Sequence, residues 1–117
     1  MELSSQTELL KRHLIRLKAI FEKNEPPEST KDKNFFLKVK DETMPVYELL
    51  EKWEETALKV VKERKANVHP QQITSTKENM ELVLMHSYYV DARRKRYMEL
   101  HNSILYVFDL LLEDIRP

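Results

Sequence analysis

The chain has 117 residues, of which 41% are hydrophobic and 34% charged, and its 20 basic and 20 acidic side chains cancel. This composition excludes a disordered chain, and the balanced charge provides no overall field that would draw the protein to nucleic acid or to an anionic membrane. The sequence contains neither glycine nor cysteine, which excludes glycine-rich phosphate and dinucleotide loops, thiol nucleophiles, disulfides and thiolate-bound metals.

The first helix is predicted over residues 5–23. Ser5 and Glu8 have the spacing of a capping box, in which the two side chains satisfy free backbone donors at a helix start. Apolar residues then recur along one face at helical spacing, namely Leu10, Leu14, Leu17 and Phe21. Without glycine, asparagine is the best remaining residue for the left-handed position that ends a helix, so Asn24 predicts the end of this one.

The second helical region is predicted over residues 34–66. Pro45 lies inside it, and because proline lacks an amide donor and clashes with the preceding turn, it predicts a break or a kink. Asn67 predicts the end of the helix, as an asparagine does for the first. The apolar side is formed before Pro45 by Phe36, Val39 and Thr43, and after it by Val46, Leu50, Trp53, Ala57 and Val60.

The third helix is predicted over residues 70–90, with two possible starts. Pro70 suits a first helical turn, where its missing amide hydrogen is not needed, whereas Ser75 and Glu78 match a second capping box. The pattern leaves this choice open.

The fourth helix is predicted over residues 95–115. The segment HSYYVDARRKRY, residues 86–97, is predicted to contain the end of the third helix, a tight charged turn after Val90, and the start of the fourth. The apolar face of the fourth helix is formed by Tyr97, Leu100, Ile104, Val107, Leu111 and Ile115.

The predicted architecture is all-α. No segment shows the two-residue alternation that is typical of strands, and each of the four helices has one apolar face. Such helices pack most simply as an antiparallel up-down four-helix bundle, here with a long first connection, in a single domain over residues 1–117. No uncharged stretch approaches the roughly 20 apolar residues of a membrane-spanning helix, and the start of the chain has no secretion-signal pattern. We therefore expect a cytoplasmic protein that does not bind membranes.

The second half of the sequence resembles a known family. From Trp53 onward, the runs ALKVVKERKANVH, QQI, KENMELVL, HSYY, KRYMEL and SILYVFDLL are similar to the YppE-like family, small all-helical proteins of low-GC Gram-positive bacteria. The resemblance covers about residues 33–115. It implies a four-helix fold in the bacterial cytosol, and because the family has no established activity, it implies no catalytic residues.

Metal chemistry of the kind found in helical bundles is not expected. Di-metal carboxylate bundles carry Glu-x-x-His on two helices, because residues three apart project side by side toward the metals. Here no Glu or Asp is followed three positions later by a histidine, and no two histidines are four apart. We therefore expect no metal and no cofactor, and we assign no catalytic residue.

A polar cluster is predicted inside the bundle. Its members fall on or beside the apolar faces of the last two helices: Asn79, His86, Ser87, Tyr97 and His101. Because an unpaired buried polar group costs about 1 to 3 kcal/mol, these side chains need partners. The favoured interpretation is an interior hydrogen-bond network that fixes helix register, and the alternative is a polar pocket for a small ligand.

The densest charge run is basic and consists of Arg93, Arg94, Lys95 and Arg96. Successive helical residues point about 100° apart, so these four cannot form one basic stripe, and no alternating aromatic residues provide a platform for stacked bases. Weak nucleic-acid binding through this run is therefore our third hypothesis. The first is a non-enzymatic protein that contacts another protein or a second copy of itself, and the second is a bundle that binds a small ligand or catalyses a reaction.

Overall fold

The computed structural model describes residues 2–29 and 31–115 and confirms the all-α prediction. It contains helices α1 (Glu2–Lys23), α2 (Lys33–Lys62), α3 (Pro70–Tyr89) and α4 (Arg94–Asp114), and no strand within the described residues. Side-chain contacts show that neighbouring helices run in opposite directions, since Arg94 at the start of α4 lies 3.4 Å from Glu22 near the end of α1. Lys11 of α1 contacts Asp109 of α4, and Phe35 of α2 contacts Tyr89 of α3. The helices therefore form an antiparallel bundle.

One diagonal of the bundle is shorter than the other. The α1 backbone approaches those of α2, α3 and α4, whereas the backbones of α2 and α4 do not approach each other. Trp53 of α2 spans this wider diagonal, since its ring lies 5.5 Å from that of Phe108 on α4 in an edge-on arrangement. Its indole also donates a hydrogen bond of 3.0 Å to Thr7 Oγ1 of α1. Three helices therefore meet around one buried tryptophan.

Helix α1 begins earlier than predicted. It starts at Glu2, so Ser5 lies within the helix and the predicted capping box does not mark its start. The additional turn is stabilised by packing, because Leu3 is fully buried in the core. The predicted end is confirmed at Lys23, but Asn24 does not adopt a positive φ.

Helix α2 passes through Pro45 without a break. Its cap, which the sequence analysis missed, is Asp32, whose carboxylate accepts hydrogen bonds from the amides of Asn34 and Phe35. Pro45 itself is exposed, and the buried side of the helix continues on both sides of it through Val39, Thr43, Val46, Leu50 and Trp53. The prediction of a break at Pro45 is therefore wrong, because burial of the helix before and after the proline outweighs the loss of one backbone hydrogen bond. A kink at Pro45 remains a prediction.

The end of α2 also differs from the prediction. The helix ends at Lys62 rather than near residue 66, and Arg64, not Asn67, takes the left-handed conformation with φ 59°. The Arg64 amide donates to Val61 O and the Lys65 amide to Val60 O, which is the hydrogen-bond pattern of a Schellman motif. Ending here lets the following segment turn back and bury Ala66 and Val68.

Helix α3 begins at Pro70, which resolves the open choice in favour of the earlier start. His69 is the cap: its Nδ1 accepts from the Gln71 amide, and Gln72 Oε1 accepts from the His69 amide. The interpretation of HSYYVDARRKRY is confirmed, because α3 ends at Tyr89 and α4 begins at Arg94. In the turn between α3 and α4, Val90 adopts the left-handed conformation with φ 49°, which is unusual for a β-branched residue.

Candidate functional site

A hydrogen-bonded pair of polar side chains joins the last two helices inside the bundle. Ser87 and Tyr97 are fully buried, and their hydroxyl oxygens lie 2.7 Å apart. Because the Ser87 hydroxyl donates to Val83 O at 2.6 Å, the Tyr97 hydroxyl donates to Ser87. Phe21 stacks on the Tyr97 ring with 3.9 Å between centroids. The pair is closed by packing and joins α3 to α4.

The hydroxyl of Tyr97 stays protonated well into the alkaline range. Burial raises its pKa to about 12, although the hydrogen bond with Ser87 acts in the opposite direction. A hydroxyl that is this hard to ionise is a structural donor rather than a general base at neutral pH.

His101 is buried but stands apart from that pair. It is 7% exposed, and within the described residues its Nδ1 has no hydrogen-bond partner. Burial lowers the pKa of His101, Lys18 lowers it further, and Glu22 opposes both. The imidazole is therefore neutral at neutral pH and packs between α4 and α1.

The remaining two members of the predicted cluster lie outside the interior. His86 Nδ1 is 2.6 Å from Asp91 Oδ1 at the partly exposed end of α3. Asn79 lines a groove between α3 and α4. Of the five, the structure joins only Ser87 and Tyr97 by a hydrogen bond, because Asn79 and His86 lie toward the surface and His101, although buried one turn along α4 from Tyr97, makes no hydrogen bond through its Nδ1 to the described residues.

All four residues of the basic run are exposed. Arg93 occupies the cap position of α4 without a side-chain hydrogen bond, Arg94 lies 3.4 Å from Glu22 of α1, and Arg96 lies 3.9 Å from Glu99. Two of the four charges are therefore paired with carboxylates. Pairs this exposed contribute little to stability, and the run remains a solvated surface.

Apolar side chains are exposed on the outside of α2, which the sequence analysis did not detect. We call the residues on this side the α2 stripe: Phe36, Leu37, Lys40, Met44, Tyr47, Glu48 and Glu51. Phe36, predicted to face the core, is 54% exposed, and Leu37 and Met44 are 43% and 50% exposed. The signal was present in the sequence, since Phe36, Lys40, Met44 and Tyr47 follow helical spacing out of phase with the buried side.

The α2 stripe contains a shallow groove of about 350 Å³ beside Met44 and Tyr47. Tyr47 is half-buried, and burial raises the pKa of its hydroxyl, with a smaller contribution from Glu81 of α3. Lys40, Glu48 and Glu51 border the groove. An apolar floor with a charged border is typical of protein contact surfaces.

A second groove of about 660 Å³ lies between α3 and α4. We call it the amide groove, because amide and hydroxyl side chains line most of it. On α3 these are Gln71, Gln72, Ser75, Thr76 and Asn79, and on α4 they are Asn102, Ser103 and Tyr106, with Glu99 and Val107 completing the lining. The sequence analysis identified only Asn79 in this region.

Within residues 2–29 and 31–115, no group of three or more His, Asp or Glu side chains is arranged to hold a metal ion. In the same part of the chain, none of the helices combines the length and the apolar character needed to cross a bilayer.

Comparison with known proteins assigns the chain to a family. The model of a bacterial domain of unknown function, DUF1798, matches residues 7–115. The chain belongs to this family. The uncharacterised protein YppE of Bacillus subtilis is 30% identical over 83 residues, which cover 70% of this chain and 68% of that protein. The resemblance seen in the sequence is therefore confirmed.

Solved structures of YppE support the fold. The crystal structure of the Bacillus subtilis protein matches with a TM-score of 0.81 and 23% identity, covering 97% of this chain and 92% of that one. Its solution NMR structure matches with a TM-score of 0.76 and 24% identity, covering 98% and 93%. No function accompanies these relatives, so any role must be argued from the surfaces themselves.

Proposed function

We propose that this protein is a non-enzymatic protein of the bacterial cytoplasm that acts through protein–protein contacts at the α2 stripe, where it pairs with a second copy of itself. The observation that carries this proposal is the arrangement of charges around Met44. The cytoplasmic setting is supported by the family, which is bacterial, and by the charged outer faces of the helices.

The apolar part of the α2 stripe gives the contact its driving force. Phe36, Leu37 and Met44 are each about half exposed, and covering them removes apolar area from water. Burial of such area contributes roughly 25 cal/mol per Å². Exposed single apolar residues are common, but three on one side of one helix together with a groove indicate a contact surface.

The charges on this side of α2 are self-complementary. Lys40 and Glu48 lie four residues before and after Met44, and Lys33 and Glu55 lie eleven residues before and after it. When two copies of α2 pack antiparallel about a two-fold axis through Met44, each lysine lies opposite a glutamate of the other copy. In the described part of the chain none of these four side chains has an ion-pair partner, so all four are available.

The size of the α2 stripe limits the expected affinity of the dimer. The span from Lys33 to Glu55 is roughly 33 Å at about 1.5 Å per residue. A single pair of helices of this length buries less than the roughly 1,200 Å² of a standard stable interface. We therefore expect a weak, concentration-dependent dimer.

Charge reversal tests the pairing directly by sedimentation velocity over a concentration series from micromolar to millimolar. Lys40→Glu brings two glutamates together at each symmetric contact, and Glu48→Lys brings two lysines together, so each variant alone is expected to remain monomeric where the wild type associates. An equimolar mixture of the two restores both attractive contacts and is expected to recover association as a mixed dimer.

Matched controls keep the test specific. Lys95→Glu and Glu25→Lys make the same charge changes at exposed positions away from the stripe and should associate as the wild type does. A wild type that stays monomeric at every concentration refutes self-association. A mixture of Lys40→Glu and Glu48→Lys that stays monomeric shows that the charges around Met44 do not direct it.

A further inference from the structure

The amide groove differs in chemistry from the rest of the surface. Charged residues make up 34% of the chain, yet among the ten residues that line this groove only Glu99 is charged. The residues recur at helical spacing on both helices, with Gln72, Ser75 and Asn79 on α3 facing Asn102 and its neighbours on α4. Two polar but uncharged stripes therefore face each other across one groove.

Several of these polar groups are free to bind. Within the described residues, Asn79, Asn102, Ser103 and Tyr106 make no side-chain hydrogen bond, so their donors and acceptors are available to a ligand. On the first turns of α3 the lining side chains are fixed instead. Gln72 Oε1 accepts from the His69 amide in the helix cap, and Gln71 donates to Ser75 at 3.3 Å. The lining thus combines fixed side chains at the start of α3 with free ones on both helices.

The chemistry of the available groups selects the class of ligand. Amides and hydroxyls both donate and accept hydrogen bonds, which matches ligand hydroxyls that do the same. A phosphate or carboxylate ligand offers acceptors and favours Lys or Arg, neither of which is among the described residues that line the groove. A cationic ligand would need several carboxylates, and Glu99 is the single one among the lining residues.

Tyr106 adds an aromatic face to this polar surface. It is 61% exposed, a high value for a large aromatic side chain, and it follows Ser103 by about one turn of α4 in the lining of the groove. An aromatic face is electron-rich and packs against C–H groups of positive character. A sugar ring presents such C–H groups on one face and hydroxyls around its edge, so it uses both features of the groove.

We propose that the amide groove binds a neutral saccharide of about two rings, with the Tyr106 ring against a sugar face and Asn79, Asn102 and Ser103 bonded to its hydroxyls. An extended peptide could use the same amides. However, backbone bonds to these amides alone do not offset the ordering of a flexible chain, whereas a sugar ring is already rigid. This site lies on different helices from the α2 stripe and does not depend on it.

Titration followed by NMR tests the site. The isotope-labelled protein is titrated separately with cellobiose, maltose and N,N′-diacetylchitobiose, and with trialanine as the peptide comparison. At least one disaccharide is expected to shift the amide signals of Asn79, Asn102, Ser103 and Tyr106 saturably, with a dissociation constant on the order of 1 mM. Trialanine is expected to leave them unchanged.

Variants assign the binding to named groups. Tyr106→Ala and Asn102→Leu are expected to weaken binding at least tenfold, and Leu82→Ala, at an exposed position elsewhere on α3, is expected to bind as the wild type does. Amide spectra establish that each variant is folded. The proposal is overturned if no disaccharide gives saturable shifts, if trialanine gives the same shifts, or if Tyr106→Ala binds as tightly as the wild type.

Discussion

Trp53 of α2 donates its indole N–H to Thr7 Oγ1 of α1 at 3.0 Å, and both side chains are fully buried. The Thr7 hydroxyl in turn donates to Leu3 O at 2.7 Å, so the tryptophan is tied to the first turn of α1. This chain of two hydrogen bonds links α2 to the first helix at the point where Trp53 reaches across the bundle to Phe108. The arrangement explains why α1 begins as early as Glu2.

Replacing Thr7 by valine should destabilise the protein by about 1 to 3 kcal/mol, because it keeps the shape but leaves the buried Trp53 N–H without an acceptor. Chemical denaturation measures the change in the free energy of unfolding. The matched control is Thr56→Val, since the Thr56 hydroxyl donates only to Lys52 O of its own helix and accepts from no other side chain. If Thr7→Val lowered the free energy of unfolding no more than Thr56→Val does, the hydrogen bond from the Trp53 indole would contribute nothing to stability.

Replacing Arg64 by glycine should stabilise the protein by about 1 kcal/mol, because Arg64 has φ 59° at the end of α2 and glycine adopts this conformation without a steric penalty. Thermal or urea unfolding provides the measurement. Arg64→Ala removes the same exposed side chain while keeping the Cβ, so it should bring no such gain. Equal stability of the two variants would contradict the explanation.

Stability above pH 10 should depend on Tyr97. Its pKa is about 12 in the folded protein and 10.0 in the unfolded chain, so between these values the unfolded state loses a proton that the folded state keeps. Stability therefore falls as pH rises from about 10 to 12, by roughly 2 to 3 kcal/mol from this group. Tyr97→Phe should reduce this fall, which urea unfolding at several pH values would reveal. If the stability of Tyr97→Phe fell with pH as steeply as that of the wild type, the pKa of Tyr97 would not be strongly raised.

Mild acid should destabilise the protein through His101. Because its pKa is lowered in the folded state, the unfolded chain binds a proton first as pH falls below the ordinary value of 6.5, and the stability that the neutral imidazole provides is lost through that range. His101→Leu removes the titrating group and the unpaired Nδ1, so its stability should vary less between pH 7 and pH 5. Direct NMR titration should place the pKa of His101 below 6.5, and a value above 6.5 would refute this account.

Much of the fold could be predicted from local pattern. The inward-facing residues of α1 and α4, such as Leu10 and Ile104, are fully buried as their spacing indicated. The turn between α3 and α4 was also predicted to within one residue at each side. Failures lie where local rules compete with packing, as at Pro45, where burial before and after the proline maintains the helix, and at Arg64, where an arginine occupies a position that local rules assign to asparagine.

The candidate sites were less predictable. The sequence predicted a network of five side chains, and of these only Ser87 and Tyr97 are joined, because both lie on inward faces near one tight turn. His86 is adjacent to Ser87 in sequence but points outward to Asp91, and a rotation of about 100° per residue is enough to separate them. The α2 stripe and the amide groove were missed because exposure depends on which side of a helix its neighbours leave uncovered.

By itself, the sequence determined that this chain makes four amphipathic helices and which face of each is apolar, since that information lies in residue spacing along a few turns. Only the tertiary structure decided that α1 and α3 approach across the bundle while Trp53 spans the other diagonal, and that the α2 stripe and the amide groove remain open at the surface. These features depend on how side chains from segments distant in sequence fill a shared interior at close packing, and no single helix contains that information.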